Sequence, residues 1–253
     1  MMTIAMLDNF RMFCDTDMER YRVETFETKE PETLLWLDSI KPGDILHDVG
    51  ANVGIYTLYA ASRGVDVYAY EPVVENCCRL QQNIEENGYK KARAYNVAVC
   101  GQQLHIENLY LPSTVVGASG GQIVSAKAED GYYFKPLRTR TILALTLWEM
   151  FILEGFHFNF TNGINHHVKI DVDGHEQDVC DGMRRLLRGG CIHSVLVEVN
   201  QQSWPLDKAR AFFREFGYTD DSHFNRCDNH SRNRRKGTKS EQAENVVFVR
   251  AQK

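Results

Sequence analysis

Polar residues close several short apolar runs of this chain: Asp48, Glu71, Asn96, Asp171 and the pair Glu198 and Asn200. A carboxylate there can accept sugar hydroxyls, face a cation or take a proton from a nucleophile. The most specific is the start of Asp48-Val49-Gly50-Ala51-Asn52-Val53-Gly54. Its spacing is D-x-G-x-x-x-G, whereas a dinucleotide pyrophosphate is cradled by G-x-G-x-x-G. Gly50 and Gly54 let backbone approach a ligand, and Asn52 tolerates a left-handed conformation between them. An acid at the strand end suits a cationic ligand better than a phosphate. A cofactor carrying an ammonium and a sulfonium fits, which points to S-adenosyl-L-methionine. Glu71 can accept both ribose hydroxyls of such a cofactor. NAD would use the same acid, so the glycine spacing carries the distinction.

A second cluster is Lys169-Ile170-Asp171-Val172-Asp173-Gly174-His175-Glu176. Strand alternation puts Lys169, Asp171 and Asp173 on one side. Methyl transfer from a sulfonium is an in-line displacement, so the protein mainly aligns the nucleophile. A hydroxyl nucleophile gains from a group that takes its proton. Asp171, His175 and Glu198 are the candidates, with Asp171 first as base or orienting carboxylate. A divalent metal on Asp171, Asp173, His175 and Glu198 is the lesser alternative to a metal-free site. Asp173 and Glu176 also read as helix-capping residues. An EF-hand is excluded because Gly182 stands where the twelfth-position glutamate belongs. His47 alternates away from Asp48, and His166 and His167 precede a strand and read as surface residues.

These residues need a scaffold that presents strand ends side by side. Asp44–Asp48, Val65–Tyr70, Ala92–Val97, His167–Asp171 and Val195–Val199 read as strands. Helices are expected from Glu30 to Ile40, after Gly54 to Arg63, from Val74 to Glu86, over Gln177–Leu187 and over Leu206–Phe216. The alternation implies a doubly wound α/β sheet, mostly parallel, whose ligand lies beyond the strands' carboxyl ends. Two strands at Gly217–Thr219 and Asn245–Arg250, without a helix between them, imply an antiparallel final strand. The expected organisation is a cap over residues 1–29 and a single domain over 30–253. It carries a loop insertion at about 110–138 and a basic loop at about 226–243.

The chain has 253 residues, 43% of them hydrophobic, enough for one substantial core. A net charge of −5 gives no bulk attraction to nucleic acid. No apolar run reaches the roughly 18 residues of a membrane span. The N-terminus lacks the basic start of a secretory signal, so a cytoplasmic protein is expected. Seven cysteines without a C-x-x-C pair indicate reduced thiols, with Cys77 and Cys78 packed in a helix. The basic run Ser231–Lys239 lacks interleaved aromatics and reads as a solvated loop rather than a nucleic-acid contact. Trp36 and Trp148 read as core, and Trp204 beside Pro205 as lining the crevice mouth.

In order, DVGANVGIYTLYAA, YEP, NVAV, VKIDVDGHE and LVEVN resemble the FkbM family of S-adenosylmethionine-dependent methyltransferases. The upstream ETLLWLDSIKPGD fits its entry helix, so the resemblance runs from about Glu30 to Asn200. It implies the seven-stranded class I methyltransferase fold and O-methylation of a sugar, glycan or natural-product hydroxyl. It implies cofactor contacts at Asp48, Gly50, Ala51, Asn52, Gly54, Glu71, Pro72, Asn96, Val97 and Asp171. The Gly117–Gly121 loop matches a stretch near the family's cleft. Departures fall on the acceptor side: Leu147-Trp148 replaces a Leu-Asp pair, His175 replaces a small residue, and Pro112–Pro136 is long. An RNA or protein methyltransferase and a non-catalytic cofactor-binding partner subunit are the competing readings. No N-P-P-Y-type tetrapeptide for planar amines is present.

Overall fold

The protein is described from a computed structural model, which describes residues 3–127, 132–156, 163–224 and 243–251. The basic run at 231–239 lies outside the described residues. An N-terminal hairpin, β1 (Ile4–Leu7) and β2 (Phe10–Phe13), is followed by α1 (Asp17–Lys29). Thr16 starts α1 with a capping box: its hydroxyl accepts from Glu19 N–H while the Glu19 carboxylate accepts from Thr16 N–H. Pro31 then opens α2 (Pro31–Ser39), as its fixed φ favours at a first helical position.

The core alternates strand and helix through β3 (Ile45–Val49), α3 (Ile55–Ser62), β4 (Asp66–Tyr70), α4 (Val74–Asn87) and β5 (Ala92–Tyr95). Next comes a region whose pattern reads as a short strand at Leu104–Leu109, an irregular stretch from Pro112 to Pro136 and an extended segment from Thr139. It holds β6 (Ala98–Val99), β7 (His105–Leu111), β8 (Gln122–Ile123) and β9 (Arg138–Leu145), joined as one sheet in the order β6-β9-β7-β8. The alternation resumes with α5 (Leu147–Leu153), β10 (His166–Ile170), α6 (Glu176–Gly182), α7 (Arg184–Gly189), β11 (Ile192–Asn200) and α8 (Leu206–Arg214). The chain closes with β12 (Tyr218–Asp220) and β13 (Ala243–Arg250).

The main sheet has seven strands in the order β12-β13-β11-β10-β3-β4-β5. Pairing is parallel except that β13 runs antiparallel to both β11 and β12. This is the class I methyltransferase arrangement. Strand order reverses between β3 and β10, so a crevice opens over their carboxyl ends. One face of the sheet buries Ile45, Val168, Ile170, Val195 and Val197 under α5 to α8; the other buries Leu46, Ala69 and Leu196 under α1 to α4.

Three expectations are corrected here. His166 and His167 are buried, because β10 lies between β3 and β11 and residues around Phe151 and Phe156 cover its start. Trp204 is also buried, packed edge-on against Phe212 rather than lining a cleft mouth. Cys78, placed in the helix with Cys77, is exposed while Cys77 is buried.

Candidate active site

A cleft of about 770 Å³, open to solvent, lies over the carboxyl ends of β3, β4 and β10. Its wall includes Gly50, Asn52, Glu71, Pro72, Asp171 and His175, drawn from segments distant in sequence.

The glycine turn sits close against the end of β10. Gly50 has φ +80°, and a Cβ there would lie 1.9 Å from the Asp171 carbonyl oxygen, so no other residue fits without displacing backbone. Asn52 is left-handed at φ 53°, and its N–H donates to Glu71 Oε2 at 2.8 Å. Val73 N–H donates to Glu71 Oε1, also at 2.8 Å. Two backbone donors thus aim the Glu71 carboxylate. Burial nevertheless pushes its pKa up to about 7 against those bonds. Gly54 serves packing instead: it has φ +91°, and a Cβ there would lie 2.2 Å from Leu80 Cδ1 of α4.

Asp171 follows β10 and is joined to Lys169 Nζ at 3.2 Å. Lys169 is only 2% exposed and also faces Asp48 Oδ1 at 3.7 Å. Burial raises the Asp171 pKa, but Lys169, with Lys29 and Arg22, outweighs it and holds the carboxyl below its ordinary range. Burial likewise opposes the Lys169 charge, and Asp171 and Asp48 outweigh it, so the lysine pKa is raised. Asp171 is therefore an ionised acceptor at neutral pH. His175 Nε2 lies 3.0 Å from Gln122 Oε1, while Gln122 Nε2 donates to the Asp173 carbonyl. That partner places the His175 proton on Nε2. Burial lowers its pKa, so the ring is neutral.

The segment after β7 straps across the cleft. Asn52 and Asn76 side chains both donate to the Ala118 carbonyl, and Gly117 N–H donates to Asn76 Oδ1. Gly120 N–H donates to Asp173 Oδ2 at 2.6 Å. Ala118, Ser119, Gly121 and Ile123 consequently line the cleft. Asp173 thus ties down this strap, and Glu176 accepts from Val172 and Gly174 N–H, bracing the turn.

Other candidates lie elsewhere. Asp48 is buried beneath the wall, accepting from Thr57 Oγ1 at 2.6 Å. Its contribution is to hold Lys169 under Asp171. Ala51 lines a neighbouring cavity. Asn96 donates to the carbonyls of Glu71 and Pro72, supporting the wall from behind, and Val97 packs on the core. The chain turns after β5, so Ala98 and Val99 take the wall positions that the sequence reading had given to Asn96 and Val97. Glu198 stands beside Asp171 in register, since Ile170 pairs with Val197, but lines neither cavity. Among the described residues no group of three or more His, Cys, Asp or Glu side chains could hold a metal ion.

Arg22, Asn76 and Leu109 are wall residues that the motifs did not mark. The capping signature Thr16-x-x-Glu19 was the available signal for the helix that carries Arg22.

The model of the Methyltransferase FkbM domain matches residues 48–219, more than half of the chain. The protein belongs to this family and is an S-adenosylmethionine-dependent methyltransferase. Its curated relatives include the hexuronic acid methyltransferase AglP of Haloferax volcanii, 25% identical over 190 residues, covering 75% of this chain and 70% of that protein. Similar solved structures include magnesium protoporphyrin IX methyltransferase of Synechocystis PCC 6803 with bound SAM, at TM-score 0.47 and 12% identity, covering 94% of this chain and 86% of that one. A SAM-dependent methyltransferase from Aquifex aeolicus has TM-score 0.46 and 10% identity, covering 93% and 98%. The cleft suits the family's cofactor in two respects. Gly50 leaves room where any side chain would close the turn on Asp171, and Glu71 offers an oriented carboxylate to a ribose.

Proposed function

We propose that this methyltransferase acts on a hydroxyl of a sugar, a glycan or a natural-product acceptor, with Asp171 as the group that receives the hydroxyl hydrogen. The observation that carries the reading is Asp171 on the cleft wall, paired with the buried Lys169 at 3.2 Å. S-adenosyl-L-methionine, when bound, supplies an activated methyl group. Gly50, Asn52, Glu71 and Pro72 would hold it, on the side of the cleft away from β10's partner β11.

The chain's own part is alignment and proton handling. Asp171 is kept ionised, so it accepts a hydrogen bond from an acceptor hydroxyl and turns the oxygen lone pair toward the donor side. As the oxygen loses electron density the proton passes to Asp171 Oδ. The buried Lys169 ammonium stabilises the carboxylate before that transfer. Neutral His175, its Nε2 committed to Gln122, keeps Nδ1 as a second acceptor for the proton. A curated relative acts on a hexuronic acid, which favours a sugar over other hydroxylated acceptors.

The test is a methyl-transfer screen with labelled donor against nucleotide sugars, uronic acids, oligosaccharides, RNA and protein, repeated with Asp171→Asn. We expect transfer to a carbohydrate hydroxyl, reduced by roughly 10²–10⁴-fold in the variant with donor affinity retained. Transfer confined to RNA or protein, or full turnover by Asp171→Asn, would sink the reading.

A further inference from the structure

Behind Asp171 the cleft continues into a second cavity of about 430 Å³. One stripe of α1 forms its wall: Arg22, Thr25, Phe26 and Lys29, at i, i+3, i+4 and i+7. The inward stripe of a surface helix is ordinarily apolar. Here its first position is the half-buried cation Arg22, while Lys29 at its far end is exposed and paired with Glu30. Arg22 lines both cavities, as do Gly50, Asn52 and Asp171, so it stands where they join.

The carboxylates around the cavity are already engaged. Glu30 accepts from Lys29 Nζ at 2.5 Å and from Tyr56 Oη at 2.9 Å. Asp171 and Asp48 share Lys169. Arg22 differs. Its Nε donates to the Gly117 carbonyl at 3.0 Å, which fixes the plane of the guanidinium, and its terminal nitrogens have no partner among the described residues. A planar fork held in place and aimed into a cavity matches a carboxylate bidentately.

We propose that this second cavity seats a carboxylate, with the Arg22 guanidinium as its paired donor. The identity of its bearer rests on the methyl-transfer reading above. It is either the amino-acid end of the adenosyl donor or the acid group of a uronic-type acceptor. In both cases the ligand is anchored on α1, a helix outside the residues matched by the family model.

Calorimetric binding separates the sources without requiring turnover. The probes are S-adenosylhomocysteine against 5′-methylthioadenosine, which lacks the amino-acid end, and glucuronate against glucose with S-adenosylhomocysteine present. Arg22→Gln is expected to weaken one carboxylate-bearing probe at least tenfold while its neutral counterpart stays within twofold. Arg22→Lys keeps the charge, loses the fork and recovers part of the affinity. Loss on S-adenosylhomocysteine assigns the site to the donor, and loss on glucuronate assigns it to the acceptor. Equal binding of both members of each pair by wild type, or an unaltered preference in a folded Arg22→Gln, overturns the anion site and leaves the cleft standing. Wild type that binds neither adenosyl compound overturns the cleft reading and the anion site with it.

Discussion

The two ends of the central sheet bury ionisable groups in opposite ways. At the carboxyl ends, Asp171 and Asp48 share Lys169 and charge is preserved inside the protein. Toward the amino ends, His47, His166 and His167 are buried and neutral. His47 Nδ1 meets Tyr70 Oη and its Nε2 meets His166 Nδ1, both at 3.0 Å, while His167 Nδ1 meets Ser194 Oγ at 2.7 Å. Burial pushes His166 and His167 down to about 4 and His47 well below its ordinary value. The same strands therefore carry an end where a buried lysine pairs two carboxylates and an end where buried histidines stay neutral although Asp44 lies nearby. The difference is whether a countercharge accompanies the buried group. Lys169 supplies one to Asp171 above, whereas the histidines meet mainly hydroxyls and each other, and Asp44 offsets burial at His167 only in part.

Removing the countercharge should have the largest effect. Lys169→Met leaves Asp48 and Asp171 unpaired, and chemical denaturation should show a loss of about 3–5 kcal/mol. The acid limb of the activity profile should also move to higher pH, because Asp171 loses its main stabilising partner. If stability is unchanged, the contrast between the two ends fails.

Acid should next expose the histidine end. Their folded pKa values lie below the unfolded value of about 6.5, so the unfolded chain binds more protons between pH 6.5 and 4. Stability contributed by the neutral histidines is complete above pH 6.5 and declines as pH falls toward 4. Glu71 and Glu176, both raised to about 7, act in the opposite sense. Their contribution is complete below the unfolded pKa of about 4.5 and disappears as pH rises through 7. The wild-type curve sums these opposed terms, so only variants separate them. Between pH 7.5 and pH 5, His166→Phe should gain about 2 kcal/mol relative to wild type. Urea unfolding at the two pH values measures this, and a constant difference would refute the assignment.

The smallest expected effect concerns ligand binding. An ionised Glu71 is the better acceptor for ribose hydroxyls, and its pKa of about 7 makes that acceptor scarce in acid. Affinity for S-adenosylhomocysteine should fall about tenfold between pH 8 and pH 6. Glu71→Gln should bind more weakly at pH 8 and lose that slope; a slope that persists would assign the titration to another group.

Much of the cleft wall was legible because it is local. The glycine turn, the strand before it and Glu71 at the next strand end are separated by spacings that the βαβ unit itself sets. Strand character at Leu104–Leu109 and from Thr139 was readable, but their pairing was hidden because β7 and β9 meet across a long connection, with Leu111 opposite Arg138, and β6 and β8 have two residues each. Arg22 was hidden for a different reason. The helix α1 had a readable capping box, but nothing in sequence says that Arg22 on it faces the cleft. His166 and His167 were misplaced because polarity at a strand start is silent about what covers it.

The sequence by itself determined the family, the doubly wound alternation and a left-handed glycine turn beside an acid, since each depends on residues close in the chain. The tertiary structure decided which acid faces the cleft. Asp48, the first residue of the motif, is withdrawn beneath the wall to hold Lys169, and Asp171 takes the exposed place above it. That division follows from packing β3 beside β10, which sets Asp48 level with Lys169 and leaves one ammonium between two carboxylates.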